Sequence, residues 1–284
     1  MIIDKLHHLA QKRGPICVGL DTQLSYLPDY LMSKPLNLTD KLFQFNRAII
    51  DQTSDLVACY KVQIAYYEAR GIAGLKAYQK TLHYIQQKGN IVIADIKRGD
   101  IAATAYQYAR GHFEGDFEAD FLTVNPLMGF DAIQPYFPYL ETGQKGLFVL
   151  VRTSNPSSGD FQELISQGQP LYLHIAQKIK KWGLPYRGQS GYSLIGAVAG
   201  LTYPKEFLQI KKELNNTFFL IPGYGAQGGS GKDLARILQN NRCAVVNSSR
   251  KIIKAHKGLD ETEHFAQISR KKILEMKKDI LQWL

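Results

Sequence analysis

The sequence predicts an α/β protein: a closed (β/α)8 barrel in a single domain spanning 1–284. Three observations lead there. Eight short apolar runs recur along 284 residues, about the length such a barrel occupies. Amphipathic stretches separate the runs, which is the alternation of βαβ units. The runs are continuously apolar rather than alternating, as parallel strands covered on both faces are. An open doubly wound sheet is the alternative; eight repeats in one chain favour closure.

Taken in order, the first run is "PICVGL" at 15–20, ending on Asp21. A helical pattern, "DKLFQFNRAIIDQT" at 40–53, leads to the second run, "LVACYKV" at 56–62, which carries Lys61. The helix "GLKAYQKTLHYIQQK" at 74–88 precedes "NIVIAD" at 90–95, and this third run continues into Asp95 and Lys97. The fourth is "ADFLTV" at 119–124, followed by a turn at Asn125 and Pro126, with Asp131 read as a helix-start acid. The fifth, "GLFVLV" at 146–151, runs into the loop "RTSNPSSGD", and the helix "PLYLHIAQKIKKW" follows at 170–182. "SLIGAVA" at 193–199, the helix "PKEFLQIKKEL" at 204–214 and "TFFLI" at 217–221 come next. "CAVVN" at 243–247 is the eighth run, and a final helix covers much of 261–284. No linker, repeat or low-complexity segment divides the chain. A barrel of this TIM type places its active site at the C-terminal ends of the strands.

Composition narrows the function classes. Lys plus Arg is 35 against 25 for Asp plus Glu, a formal charge of +10. Such a balance suits nucleic acid, an acidic membrane surface, an anionic substrate, or simply a basic surface. The basic residues are scattered, and no dense basic run interleaves with aromatics, so no nucleic-acid partner is expected. No stretch approaches the roughly 18 apolar residues of a membrane span. The opening "MIIDKLHHLA" carries an early acid and no secretory pattern. Cys17, Cys59 and Cys243 each fall in or beside an apolar run, which reads as buried free thiols in a reducing cytoplasm. The seven histidines make no metal-ligand spacing, and no metal or cofactor is expected.

The strand ends carry the chemistry. Asp21, Lys61, Asp95 and Lys97 place two acids and two amines at one end of three adjacent strands. Asp95 and Lys97 are two apart and share a strand face. Asp100 falls where the following helix should begin, and it would share a helix face with Thr104, four residues on. An opposite pair at about 4 Å gains on the order of 4 kcal/mol at an effective dielectric near 20, enough to keep both partners charged. A lysine so held is a fixed proton donor, not a Schiff-base nucleophile. The charges alone also fit an ion-pair network that merely closes the barrel mouth.

The glycines point to phosphate. "GYGAQG" at 223–228 has dinucleotide-loop spacing but lacks the acid about 20 residues on. "AQGGSGKD" fails as a P-loop, with Ala226 at the first glycine position and Asp233 after the lysine. Loops after the last two strands of a barrel frequently cradle phosphate, with Gln227 and Arg250 as donors. Ser154, after the fifth strand, reads either as a contact to a substrate ring or as a turn cap.

These residues resemble a known family. "DIKRGDIAATA" is similar to the D-x-K-R-x-D-I-x-x-T signature of orotidine 5′-phosphate decarboxylases. "VGLD", "YKVQIAYYE", "VNPLMGFD", "LVRTSNPSSGDFQ", "IPGYGAQGG" and "VVNSSR" follow in family order. The set is most like the longer bacterial subgroup; one departure is Ala102, where glycine is the commoner residue. The resemblance implies decarboxylation of orotidine 5′-phosphate to uridine 5′-phosphate without metal or cofactor, by a cytoplasmic homodimer with shared active sites. It implies Lys97 as the proton donor to C6, Asp95 beside the substrate carboxylate, Lys61 on the ribose and on Asp95, and Asp100 supplied by the other subunit. Asp21 and the other subunit's Thr104 would bind ribose hydroxyls, Ser154 the pyrimidine, and Gln227 and Arg250 the phosphate, with Ile101 also at the substrate. Two rivals remain: a metal-assisted sugar-phosphate decarboxylase or aldolase sharing the D-x-K-x-x-D core, and a basic nucleic-acid-binding protein with a decayed site.

Overall fold

The structure, a computed structural model, describes residues 1–224, 231–238, 243–259 and 261–283. Its centre is a closed barrel of eight parallel strands: β1 (Ile16–Gly19), β2 (Cys59–Gln63), β3 (Ile91–Arg98), β4 (Phe121–Val124), β5 (Gly146–Arg152), β6 (Ile195–Ala199), β7 (Phe219–Ile221) and β8 (Ala244–Ser248). Each apolar run of the sequence became one of these strands. Neighbours in sequence are neighbours in space, and β1 closes on β8 with Ile16 opposite Val246 and Val18 opposite Ser248.

Helices wrap the barrel: α1 (Ile2–Arg13), α2 (Leu38–Thr53), α3 (Gly71–Gln87), α4 (Ala102–Phe113), α5 (Leu171–Gly183), α6 (Pro204–Glu213), α7 (Gly231–Leu238) and α8 (Phe265–Leu281). Their starts are chemically marked. The Asn37 side chain caps α2 by accepting from the Asp40 backbone N–H at 2.9 Å, and Pro204 opens α6, where its missing N–H costs no bond. α2 buries Leu42, Phe45, Ile49 and Ile50, the i, i+3, i+7, i+8 spacing of one helix face. Between β4 and β5 the chain returns through 3-10 turns and one four-residue helix, Phe137–Leu140.

Inside the barrel, shape is traded between neighbouring strands. Phe121 on β4 fills the space over Gly146 on β5, where any Cβ would collide with its ring. Cys17, Cys59 and Cys243 are all free and buried, as the apolar runs around them imply.

Three features differ from the sequence reading. β3 runs three residues past its expected end, carrying Lys97 and Arg98 within the strand. α4 starts at Ala102, with Ile101 extended before it, so Asp100 lies outside the helix and does not share a helix face with Thr104. The loop after β5 contains a small antiparallel hairpin, Ile165–Ser166 with Gln169–Pro170, turned by Gln167 and Gly168 at positive φ. Gln-Gly supplies the left-handed pair that a two-residue hairpin turn needs.

Candidate active site

The C-terminal ends of the strands enclose a cavity of about 340 Å³. Seven of the eight strands each place at least one side chain in its wall: Lys61 from β2, Asp95 and Lys97 from β3, Thr123 from β4, Leu150 from β5, Val198 from β6, Leu220 from β7 and Asn247 from β8. A period of two puts alternate residues on the inner face, so the last inward residue of each strand faces the mouth. Thr153, Ser154 and Asn155 from the loop after β5, with Pro222 after β7, complete the lining.

The charges form one chain. Lys61 Nζ donates to Asp21 Oδ1 at 3.1 Å and to Asp95 Oδ2 at 2.8 Å. Lys97 Nζ donates to Asp95 Oδ1 at 2.6 Å. Asp95 and Lys61 are buried, whereas the Lys97 side chain is 44% exposed at the cavity. Burial is the strongest influence on Asp95 and opposes its charge, but the ammoniums of Lys61 and Lys97 outweigh it and hold the carboxyl well below its usual range. Burial likewise opposes the Lys61 charge, and Asp21 and Asp95 overcome it, holding the ammonium well above its usual range. Asp95 and Lys61 therefore sit ionised as a buried pair.

Asp95 and Lys97 meet as expected, though not through a regular strand. The β3–β4 register slips between Ala94 and Arg98, and Lys97 has φ 47°. This bulge turns Lys97 toward the cavity, as bulges near active sites re-aim side chains. Arg98 then resumes pairing opposite Val124, and its guanidinium reaches outward to Glu68 at 2.5 Å.

The other expected residues divide into four groups. Ser154 lines the cavity, and the turn beside it is tied by Thr153, whose hydroxyl donates to Asn155 at 2.7 Å. Arg250 opens a short helical turn directly after β8 and is exposed at the same barrel end, outside the described lining. Gln227 lies outside the described residues. Asp100 bonds to the Ile101 backbone N–H at 2.8 Å; Ile101 and Thr104 are exposed, and none of the three lines its own chain's cavity.

Sequence reasoning passed over Thr123, Asn247 and Arg152. Thr123 and Asn247 are polar residues at inward positions near the ends of apolar strands, which is the signal that was available. Arg152, fully buried at the end of β5, donates to Ser158, Gln162 and Glu163 and lies 4.0 Å over the Tyr203 ring. Gln162 in turn accepts from the Thr153 backbone N–H at 2.9 Å. The guanidinium thus fixes the loop that presents Ser154. Among the described residues, no group of three or more His, Cys, Asp or Glu side chains converges as metal ligands. Nor is any helix among them long and apolar enough to cross a membrane.

Comparison with known proteins identifies the family of the chain. Residues 14–265 match the family model described as Orotidine 5'-phosphate decarboxylase / HUMPS family. The orotidine 5′-phosphate decarboxylase of Clostridium tetani (strain Massachusetts / E88) is 51% identical over 283 residues, covering 99% of this chain and 98% of its own. That of Clostridium novyi (strain NT) is 52% identical over 282 residues, with the same coverage. Among solved structures, the Leishmania donovani OMP decarboxylase superposes with a TM-score of 0.78 at 26% identity, covering 99% of this chain and 97% of that one. A TIM barrel with this charged array, matched along nearly its whole length by these relatives, belongs to the orotidine 5′-phosphate decarboxylase family.

Proposed function

We propose that the chain, as one catalytic domain, converts orotidine 5′-phosphate to uridine 5′-phosphate, the last step of de novo pyrimidine synthesis, with Lys97 delivering the proton. The observation that carries this reading is the Lys97 ammonium at the cavity mouth, 2.6 Å from a buried Asp95 that Lys61 braces from behind. The bond between C6 and the carboxylate breaks, carbon dioxide leaves, and the electron pair stays on C6. Lys97 Nζ gives C6 its proton, and solvent reprotonates the amine. A preorganised ammonium beside the carbon stabilises the charge as it develops. Asp95, held ionised, lies where it repels the substrate carboxylate and loses that repulsion as carbon dioxide departs.

Around this centre, Lys61 and Asp21 contact the ribose and Ser154 reads the pyrimidine. Gln227 and Arg250 grip the phosphate, whose binding energy orients the ring from a distance. Asp100, Ile101 and Thr104 serve the active site of a second subunit. Support for a homodimer comes from their exposure and from the apolar surface near them: Ile101 is 49% exposed, and Tyr106, Leu127, Met128 and Phe130 are exposed as well. Large apolar side chains left exposed on these segments suit an interaction surface. The buried free thiols favour a reducing, cytoplasmic setting. Against the metal-assisted alternative, Asp21 and Asp95 already hold ammonium partners that compete with any cation.

The test follows the substrate absorbance on adding purified protein, with and without EDTA. The parent should turn over equally in both, and Lys97→Ala should lose at least about a thousand-fold in kcat. Turnover by Lys97→Ala near the parental rate would overturn the assignment, and loss of parental activity in EDTA would revive the metal-assisted alternative.

A further inference from the structure

The β3 bulge leaves a backbone group in need of a partner. In the slipped register between Ala94 and Arg98, Lys97 has no paired β4 residue, and the place of a ladder partner to its N–H is open. Thr123 takes that place. Its Oγ1 lies 3.0 Å from the Lys97 backbone N and 2.8 Å from Asp95 Oδ1. A backbone N–H only donates and an ionised carboxylate only accepts, so the hydroxyl accepts from Lys97 and donates to Asp95. The Lys97 ammonium reaches the same Asp95 oxygen at 2.6 Å. Backbone and side chain of one lysine are thus tied to a single carboxylate oxygen, the backbone through Thr123. The hydroxyl is buried, so no solvent replaces it.

We propose that Thr123 is a positioning residue: its hydroxyl locks the left-handed Lys97 bulge onto Asp95 and so fixes the ammonium at the point where it meets C6. The role rests on the reading of Lys97 as proton donor. Residues in sparsely populated backbone regions persist only where surrounding structure over-determines them, and here a single hydroxyl supplies both constraints. Thr123→Val keeps the shape and branching and deletes both hydrogen bonds. Thr123→Ser keeps the hydroxyl. Displacing an acid by a fraction of an ångström slows the chemical step while leaving ribose and phosphate contacts in place.

The experiment compares kcat, KM and the affinity for uridine 5′-phosphate in the parent, Thr123→Val, Thr123→Ser and Lys97→Ala. Thr123→Val should lose roughly 10- to 100-fold in kcat. Its KM and product affinity should stay within about threefold of the parent, because binding contacts are unchanged. Thr123→Ser should recover most of the loss. Should Thr123→Val fail to fold, Thr123→Cys, which fills the site with a weak hydrogen-bonding group, should show the same loss in kcat at held KM. The positioning role is overturned, with the proton-donor reading intact, if Thr123→Val keeps kcat within about twofold while Lys97→Ala is inactive, if KM rises in step with the fall in kcat, or if serine does not restore activity. An active Lys97→Ala would overturn the donor reading and this role together.

Discussion

Asp95 binds both Lys61 and Lys97, so the three side chains act as one group at the strand ends. A buried strand that ends in alternating acid and amine breaks the apolar pattern, and the barrel says which end of the strand matters. Thr123 gave no such signal, because threonine is an ordinary strand residue and its value depends on a bulge that no local pattern encodes. Ala102 is a different case. Its residue type stood out in the sequence as a departure from glycine, and the structure gives the reason glycine belongs there: φ is 49°. A left-handed conformation costs a residue with a Cβ about 1–2 kcal/mol, and glycine avoids that at some cost in conformational entropy. Ala102→Gly should therefore raise the melting temperature by about 2 °C. A fall in the midpoint would show that no strain is stored at this turn.

At the scale of elements, the strands and the long amphipathic helices were readable because their periodicities are strong. α4 was expected to begin at Asp100 and begins at Ala102, and its extent was not legible: it buries only Ala105, Ala109, His112 and Phe113, and the rest of its length is largely exposed. A helix with so narrow a buried stripe has a weak one-sided pattern in the sequence. Its most buried polar side chain sets a pH dependence. Burial first, and the Arg98 charge second, pull the His112 pKa from 6.5 down to about 4. In the folded chain the ring is neutral from about pH 4 upward, whereas in the unfolded chain it gains a proton below about 6.5. Stability is therefore fully present above pH 6.5 and is lost as pH falls toward 4, by on the order of 3 kcal/mol in all. Chemical denaturation of parent and His112→Gln at a series of pH values should show that extra slope only in the parent. Equal slopes would place the ring's titration elsewhere.

For the whole molecule, the number of strands and their parallel sense were legible, while the pairing of first strand with last was an inference from count. The proposed sharing of sites between subunits makes a quantitative statement about mixed dimers. In a hybrid of Lys97→Ala and Asp100→Ala subunits, one site combines an intact Lys97 with an intact Asp100, and the other lacks both. Random exchange makes half the dimers hybrids, so two inactive preparations, mixed, should reach about a quarter of parental activity. No recovery on mixing, after subunit exchange is verified by a mass label, would mean that each subunit builds its site alone. One feature of the fold also bears on how the chain is made. β1 pairs with β8 across some 230 residues, with Cys17 opposite Asn247. Beyond β8, Asp279 on α8 accepts hydrogen bonds from the Tyr224 hydroxyl, just after β7, and from the Gly231 backbone at the start of α7. The pieces flanking the glycine-rich segment are thus moored to a helix that is made after every strand of the barrel. A nascent chain can fold six or seven strands and still hold no site, so catalytic competence should arrive in a single step, only after α8 has emerged.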